Sequence, residues 1–374
     1  MTFIVLNVGS SSLKFAVFDQ SGGAMREIAR GQAARASALD RPGAPSAADR
    51  ALVAGILDDV ERAHGRVDAV GHRVVHGGRA FFAPVLIDDA TLAAIEALAP
   101  LAPLHQPHNT MAIRAVAALR PGMAQVACFD TAFHRTQPEI HRRLPLPERF
   151  FEAGIERYGF HGLSYSWLTQ HLARLRGALP KRLLAFHLGA GASACAMRDG
   201  LSVNTSMGFS TLDGLMMGTR PGALDPGVLL HLLEQHVDHD QLVDLLYMRS
   251  GLRGVSGVTA DMKTLLASSD PASRRAVDMF CHHAAAAAAG LTTALGGLDA
   301  IVFTGGIGEH APEIRARIGA TLGFLGAAID PGRNDAREAR ISPDGAKVEC
   351  WVVAANEERV VAEALAALTN CPAT

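Results

Sequence analysis

Three glycine turns, each directly behind a short apolar run, constrain this chain more than any other feature. Phe3-Ile4-Val5-Leu6 leads into Asn7-Val8-Gly9-Ser10-Ser11-Ser12. Leu183-Leu184-Ala185-Phe186-His187-Leu188 leads into Gly189-Ala190-Gly191-Ala192-Ser193, and Ala300-Ile301-Val302-Phe303 into Thr304-Gly305-Gly306-Ile307-Gly308-Glu309. Runs this short, the first and third with β-branched centres, read as buried strands. Leu13, Phe15 and Val17 then alternate with Lys14, Ala16 and Phe18, so the first turn is the tip of a hairpin. Ala194 to Met197, closed by Arg198-Asp199-Gly200, repeats the design. Small residues at a tip leave backbone N–H groups free to approach an anion, and Lys14 adds a point charge. One such loop is an ordinary tight hairpin. Three, each behind a strand, predict a duplicated α/β chain with a nucleotide between the copies.

A length of 374 residues agrees with two domains. A net charge of -2 gives no reason to expect nucleic acid or an anionic membrane as partner. Five cysteines (Cys128, Cys195, Cys281, Cys350, Cys371) lack the close pairs of a zinc site; four sit in apolar or helical surroundings and read as buried free thiols, which fits a reduced cytosol. Met1-Thr2-Phe3 runs into the first strand, so no signal peptide is expected. The apolar runs are too short for a transmembrane helix.

Along the chain, Gln20 to Arg50 is a polar section with a loop at Asp40 to Pro45, and Ala47 to Ala63 reads as a helix. The strand from Asp68 to Val75 puts Arg73 near its end, where ligands of open α/β sheets sit. Helices are expected over Asp88 to Leu98 and Thr110 to Leu119. The strand Ala124 to Phe129 ends in Asp130, an acid placed for catalysis or metal binding, or for capping the next turn. Gln137 to Arg149, rich in Pro and Arg, reads as a crossover between domains. His161 opens a helix, and Arg220 sits in a Gly- and Met-lined loop as an anion clamp or a surface arginine. Gly251 to Gly257 reads as a flexible loop, and Asp261-Met262-Lys263 precedes a helix. His282 and His283, in a long helix from Arg274 to Leu295, are adjacent and share no helix face, so they do not read as a metal pair. A last strand, Lys347 to Ala354, runs into Asn356-Glu357-Glu358 and a closing helix, Arg359 to Leu368.

The strand ends together offer amide and carboxylate oxygens for a hard cation (Asn7, Asp130, Glu357), two clamp arginines (Arg73, Arg220) and backbone cradles for phosphate. Magnesium takes carboxylates with phosphate oxygens and water. Phosphoryl transfer needs charge neutralisation and in-line positioning more than a covalent nucleophile. Arginine forks suit carboxylate and phosphate. This predicts a kinase with a small anionic acceptor, without a Walker A or protein-kinase signature.

The motifs NVGSSSLKF, GHRVVHGG, FDTAFH, RYGFHG, HLGAGAS, NTSMGF, GLMMGTR, FTGGIGE and ANEE, in this order over nearly the full length, resemble the acetokinase family of the actin-like ATPase superfamily. The resemblance implies a duplicated βββαβαβα (ribonuclease H-like) fold, with ATP in the cleft between two domains. The expected N-terminal acyl-substrate domain is 1–145 with the C-terminal helix 359–374, and the nucleotide-binding and dimerisation domain is 146–358. It implies reversible phosphorylation of acetate to acetyl phosphate by ATP with Mg²⁺ (Mn²⁺ as a substitute), in a cytoplasmic homodimer. By resemblance, Asn7 and Glu357 bind the metal, and Lys14 contacts ATP. Arg73 takes the substrate carboxylate, Asp130 is the catalytic acidic residue that orients the acetate oxygen and the cation, and His161 and Arg220 stabilise the phosphoryl group. His187, Leu188, Gly189, Ala190 and Gly191, then Asp261, Met262 and Lys263, and Gly306, Ile307, Gly308, Glu309 and His310 are the ATP-binding segments. Val75, Leu104, Phe160 and Thr211 line the acyl pocket. Three positions depart from the family pattern: Ala190 and His310 stand where Asn is usual, and Thr211 where Pro is frequent. A propionate or butyrate kinase remains open, since one methylene is worth only about 1–3 kcal/mol. So do a non-catalytic actin-like nucleotide-binding module and a sugar kinase; the last suits the two arginines less well.

Overall fold

The structure is a computed structural model that describes residues 1–9, 12–21, 24–35 and 45–369. Ser10 and Ser11 of the first tip, most of the loop expected at Asp40 to Pro45, and Cys371 lie outside the described residues. The chain forms two compact units, Met1–Phe133 with the C-terminal stretch from Asn356, and His134–Ala355.

The first unit holds a six-stranded sheet of β1 (Thr2–Val8), β2 (Ser12–Ser21), β3 (Ala24–Ala34), β4 (Ala69–Val74), β5 (Val85–Leu86) and β6 (Ala124–Phe129). Its order is β3-β2-β1-β4-β6-β5. β1, β2 and β3 form an antiparallel meander, and β1, β4 and β6 run parallel. Phe3, Ile4, Val5 and Leu6 are all buried because both faces of the central strands are covered. Ile4, Leu6 and Val70 pack against Val53, Leu57 and Val60 of the helix Ala47–His64 and Met111, Ala115 and Val116 of the helix Gln106–Leu119. Across the sheet, the final helix Glu357–Thr369 lays Val361 and Leu365 over Gly71. A Cβ at Gly71 would lie 2.5 Å from Val361 Cγ1.

The second unit contains β7 (Arg182–Leu188), β8 (Ala192–Arg198), β9 (Leu201–Thr205), β10 (Ala300–Thr304) and β11 (Glu349–Val352), in the order β11-β10-β7-β8-β9. From the meander edge, β9-β8-β7-β10-β11 repeats β3-β2-β1-β4-β6, with the same antiparallel and parallel senses. The duplication expected from the glycine turns is therefore present strand for strand, with β5 as an addition in the first unit.

Four local readings change. The polar section after Gln20 carries β3, an edge strand with none of its described residues buried. It mixes Arg26, Glu27, Arg30 and Gln32 with small residues and only Met25 and Ile28 as large apolar side chains, as edge strands use charge, so no apolar period marks it. The helix expected at Thr110 starts at Gln106, because Pro107 sits in the first turn, where its missing N–H costs nothing. Gly251–Ser256 is a helix and not a flexible loop. Gly251 has φ +63°, and a Cβ there would lie 2.2 Å from Met217 O, so glycine serves a close approach. The third glycine turn is itself helical, Gly305–His310.

Candidate active site

In the first unit, Arg73 gathers the expected strand-end residues. Its Nε and Nη2 donate to the two Asp130 oxygens at 3.0 and 2.6 Å, and Nη1 donates to Asn7 Oδ1 at 3.2 Å. Glu357 Oε2 stands 3.5 Å from Nε. Asp130 is buried, while Arg73 is only partly so. Burial works against the Arg73 charge, but Asp130 and Glu357 outweigh it and raise its pKa above the ordinary arginine value. Glu357, read as following a strand, occupies the first turn of the final helix. Lys14 is exposed and pairs with Asn7 across the β1–β2 ladder.

Residues without obvious chemistry hold this set. Asn109 Oδ1 accepts from Val75 N–H at 3.0 Å, and its Nδ2 donates to Val8 O at 3.1 Å, so one amide ties the ends of β1 and β4. Gln106 brackets His76, accepting from its N–H and donating to its carbonyl. Arg35, paired with Asp49, donates to Gly9 O at 3.1 Å. The sequence signal for the first two was the polar His105-Gln106-Pro107-His108-Asn109 run ahead of an apolar helix. Val75 is buried and Leu104 half-buried in this unit.

The second unit builds its set at the β7–β8 tip. His161, at φ +59°, starts the helix Gly162–Arg176. Its ring stacks on His187 at 4.2 Å, and its Nδ1 is 2.9 Å from Ser193 Oγ, which also bonds Tyr165 OH at 2.6 Å. His187 Nδ1 bonds Ser164 Oγ at 2.9 Å. A Cβ on Gly191 would lie 2.8 Å from Arg220 Nη2 and 3.3 Å from His161 Nε2, so both side chains close on this glycine. Arg220 Nη1 donates to Thr211 O at 2.7 Å. Among the described residues no carboxylate pairs with Arg220; burial pushes its pKa down, with Tyr247 opposing. Its loop is stapled: Gly218 N–H donates to Ala190 O, and Leu252 and Arg253 N–H donate to Met217 and Gly218 carbonyls.

Beside the tip lies a cavity of about 970 Å³. Of the residues expected to bind nucleotide, Gly189, Ala190, Asp261, Met262, Lys263, Gly306, Ile307 and His310 line it. Leu188 and Gly308 are buried behind. Glu309 turns away, its Oε1 accepting from Gly305 and Ala355 N–H. Asp261 Oδ2 accepts from Thr264 N–H as a helix cap. Glu313, Asn334, Asp335 and Arg337 also line the cavity and carried no motif in the sequence. Phe160 is buried and Thr211 half-buried in this unit.

Residues 2–363 match the family model described as Acetokinase family. The chain belongs to the acetokinase family. Membership makes it a kinase. This acetokinase-family chain is 43% identical over 383 residues to the acetate kinase of Rhodopseudomonas palustris (strain TIE-1), covering 96% of each. Among solved structures it resembles a propionate kinase from Francisella tularensis subsp. tularensis SCHU S4, with 33% identity and TM-score 0.89 over 97% of this chain and 98% of that one. The Porphyromonas gingivalis acetate kinase shares 31% identity and TM-score 0.85 over 97% and 98%. No helix among the described residues is long and apolar enough to cross a membrane.

Proposed function

We propose that this chain is an acetate kinase that transfers the γ-phosphoryl group of ATP to acetate, reversibly, by direct in-line displacement. An acetate oxygen attacks the γ-phosphorus, the bond to the bridging β–γ oxygen breaks, and ADP leaves carrying the electron pair. No proton has to move. Arg73 takes the acetate carboxylate. Arg220 and His161 meet the charge on the transferring group, a preorganised electrostatic role. The ATP sits in the cavity lined by Gly189, Asp261 to Lys263 and Gly306. The observation that carries the reading is Arg220: a half-buried cation, disfavoured by burial, that no carboxylate among the described residues pairs, beside a glycine tip and a nucleotide-sized cavity.

Among the described residues no cluster of three or more His, Cys, Asp or Glu is arranged to cage a metal. Magnesium needs one or two carboxylates and takes the rest from water and phosphate. Asn7 Oδ1, Asp130 and Glu357 present an amide oxygen and carboxylates of that kind, shared around Arg73. Bound there, Mg²⁺ would neutralise phosphate charge.

The test is hydroxamate formation with ATP, Mg²⁺ and acetate, with propionate and butyrate alongside. Signal with acetate is expected; no signal with any acid would sink the reading. A propionate-preferring enzyme is the second reading, favoured by Thr211 and by the likeness to the Francisella propionate kinase. We also place the chain in a cytoplasmic homodimer. Support comes from the helices Pro226–Glu234 and His239–Met248, which bury none of their residues and expose Leu230, Leu233 and Met248.

A further inference from the structure

The second unit encloses a fully buried arginine, Arg315, in the helix Pro312–Thr321. It makes no ion pair among the described residues. Its partners are instead neutral oxygens: Nε donates to Asn334 Oδ1 at 2.8 Å and Nη2 to Asn334 O at 3.0 Å. Nη1 donates to Gly308 O at 2.8 Å and Glu309 O at 2.9 Å. Asn334 Nδ2 donates in turn to Pro312 O at 2.9 Å. Burying a guanidinium without a counter-charge is costly, so a side chain kept this way invites a function beyond packing. Burial, with Arg337, pushes its pKa down to about 10, against Asp335, which leaves it charged near neutrality.

Both groups that Arg315 grips belong to walls of the 970 Å³ cavity. Gly308 and Glu309 lie in the short helix whose Gly306, Ile307 and His310 face the cavity. Asn334 lies in the helix Pro331–Asp335, whose Pro331, Asn334 and Asp335 face it from another side. We propose that Arg315 is a positioning residue for the nucleotide: its fork braces these two walls at a fixed separation, and its charge adds positive potential behind them. The proposal rests on reading the cavity as the ATP site. Lysine cannot replace it in full, because one ammonium cannot span both walls as the planar fork does. Sub-ångström loosening of a supporting shell is enough to weaken a site built on it.

The experiment uses full-length Arg315→Met and Arg315→Lys, with KM for ATP and for acetate measured separately and ATP binding followed by calorimetry. Both variants are expected to raise the ATP KM and Kd, about tenfold or more for Met and less for Lys, with the acetate KM changed less than about twofold. Arg315→Lys keeps the charge and serves if the Met variant fails to fold. A Lys variant with a wild-type ATP KM overturns the proposal. An equal change in both KM values, or a loss of kcat with thermal stability and no KM split, overturns it in favour of a purely structural role. Wild-type chain that binds no ATP would instead sink the reading beneath it, and calorimetry tells the two failures apart.

Discussion

Gly191→Ala separates geometry from folding. The φ of Gly191 lies outside the left-handed region, so alanine meets no backbone strain. The added methyl, however, would sit 2.8 Å from Arg220 Nη2. Carbon–heavy-atom contacts are comfortable at about 3.5–4.0 Å, so the guanidinium end has to withdraw by about 0.7 Å or more. The His161 Nε2 contact, at 3.3 Å, asks for a few tenths of an ångström besides. Both displaced atoms are side-chain ends. The overpacking cost is therefore near the low end of the usual range, about 1 kcal/mol. Restricting the unfolded chain returns about 0.4–1 kcal/mol. The melting temperature should move by no more than about 4 °C. Catalysis should suffer much more. If Arg220 meets the transferring phosphoryl group, a misplacement approaching 1 Å lowers kcat by about tenfold to a hundredfold. The assay is the hydroxamate rate at saturating ATP and acetate, with a thermal melt on the same sample. A folded Gly191→Ala protein with wild-type kcat would refute the idea that the tip, Arg220 and His161 form one phosphoryl-binding corner.

Three further outcomes are expected. Asp130→Asn, which takes one charge from the bidentate pair with Arg73, should lower kcat by about a hundredfold, and undiminished turnover would return Asp130 to capping its turn. His72, His76 and His134 are held neutral by burial, each with its pKa pushed down to about 4. Below about pH 6.5 the unfolded chain binds protons that the folded chain does not. Stability should therefore fall with pH by up to about 1.4 kcal/mol per unit per imidazole, levelling near pH 4. Urea midpoints that stay flat between pH 7 and 5 would contradict this. Leu230→Glu with Leu233→Glu should turn a dimer into a monomer by light scattering, and a monomeric wild type would remove the homodimer proposal.

What the sequence made legible follows from what kind of force shapes each element. β1, β7 and β10 announce themselves because buried parallel strands are continuous apolar runs. β3 does not, because an edge strand faces water and scatters charged and polar side chains among small ones. Gly251 was misread because a glycine whose added Cβ would collide with the Met217 carbonyl looks the same in sequence as one that merely bends. The strand-end acids and arginines were visible as chemistry out of place beside apolar runs. Their supports were not. Asn109 reaches Val8 across 101 residues, and Arg315 reaches Asn334 across 19. Neither partner is implied by spacing, since each depends on where separate elements come to rest.

The two arginines that the sequence treats as a pair of clamps are held in opposite electrostatic states, and this difference bears on their roles. Arg73 stands among Asp130, Glu357 and Asn7, so its charge is more than balanced and its neighbourhood keeps surplus carboxylate oxygen. Such a place suits a cation that accompanies phosphate, and an acceptor carboxylate entering there must take donors that Asp130 and Asn7 now share. Arg220 is half-buried, donates to the Thr211 carbonyl and feels the Tyr247 phenol, on the glycine tip that His161, stacked on His187, also faces. Among the described residues no carboxylate balances that charge, so it is worth most when an anion arrives. Binding energy stored this way is released on the ligand rather than in folding, which is where a phosphoryl-transfer enzyme can use it to lower its barrier. The same reasoning ranks the variants: removing Asp130 should harm both fold and rate, whereas removing Arg220 should leave the fold intact, or even firmer, and harm the rate alone.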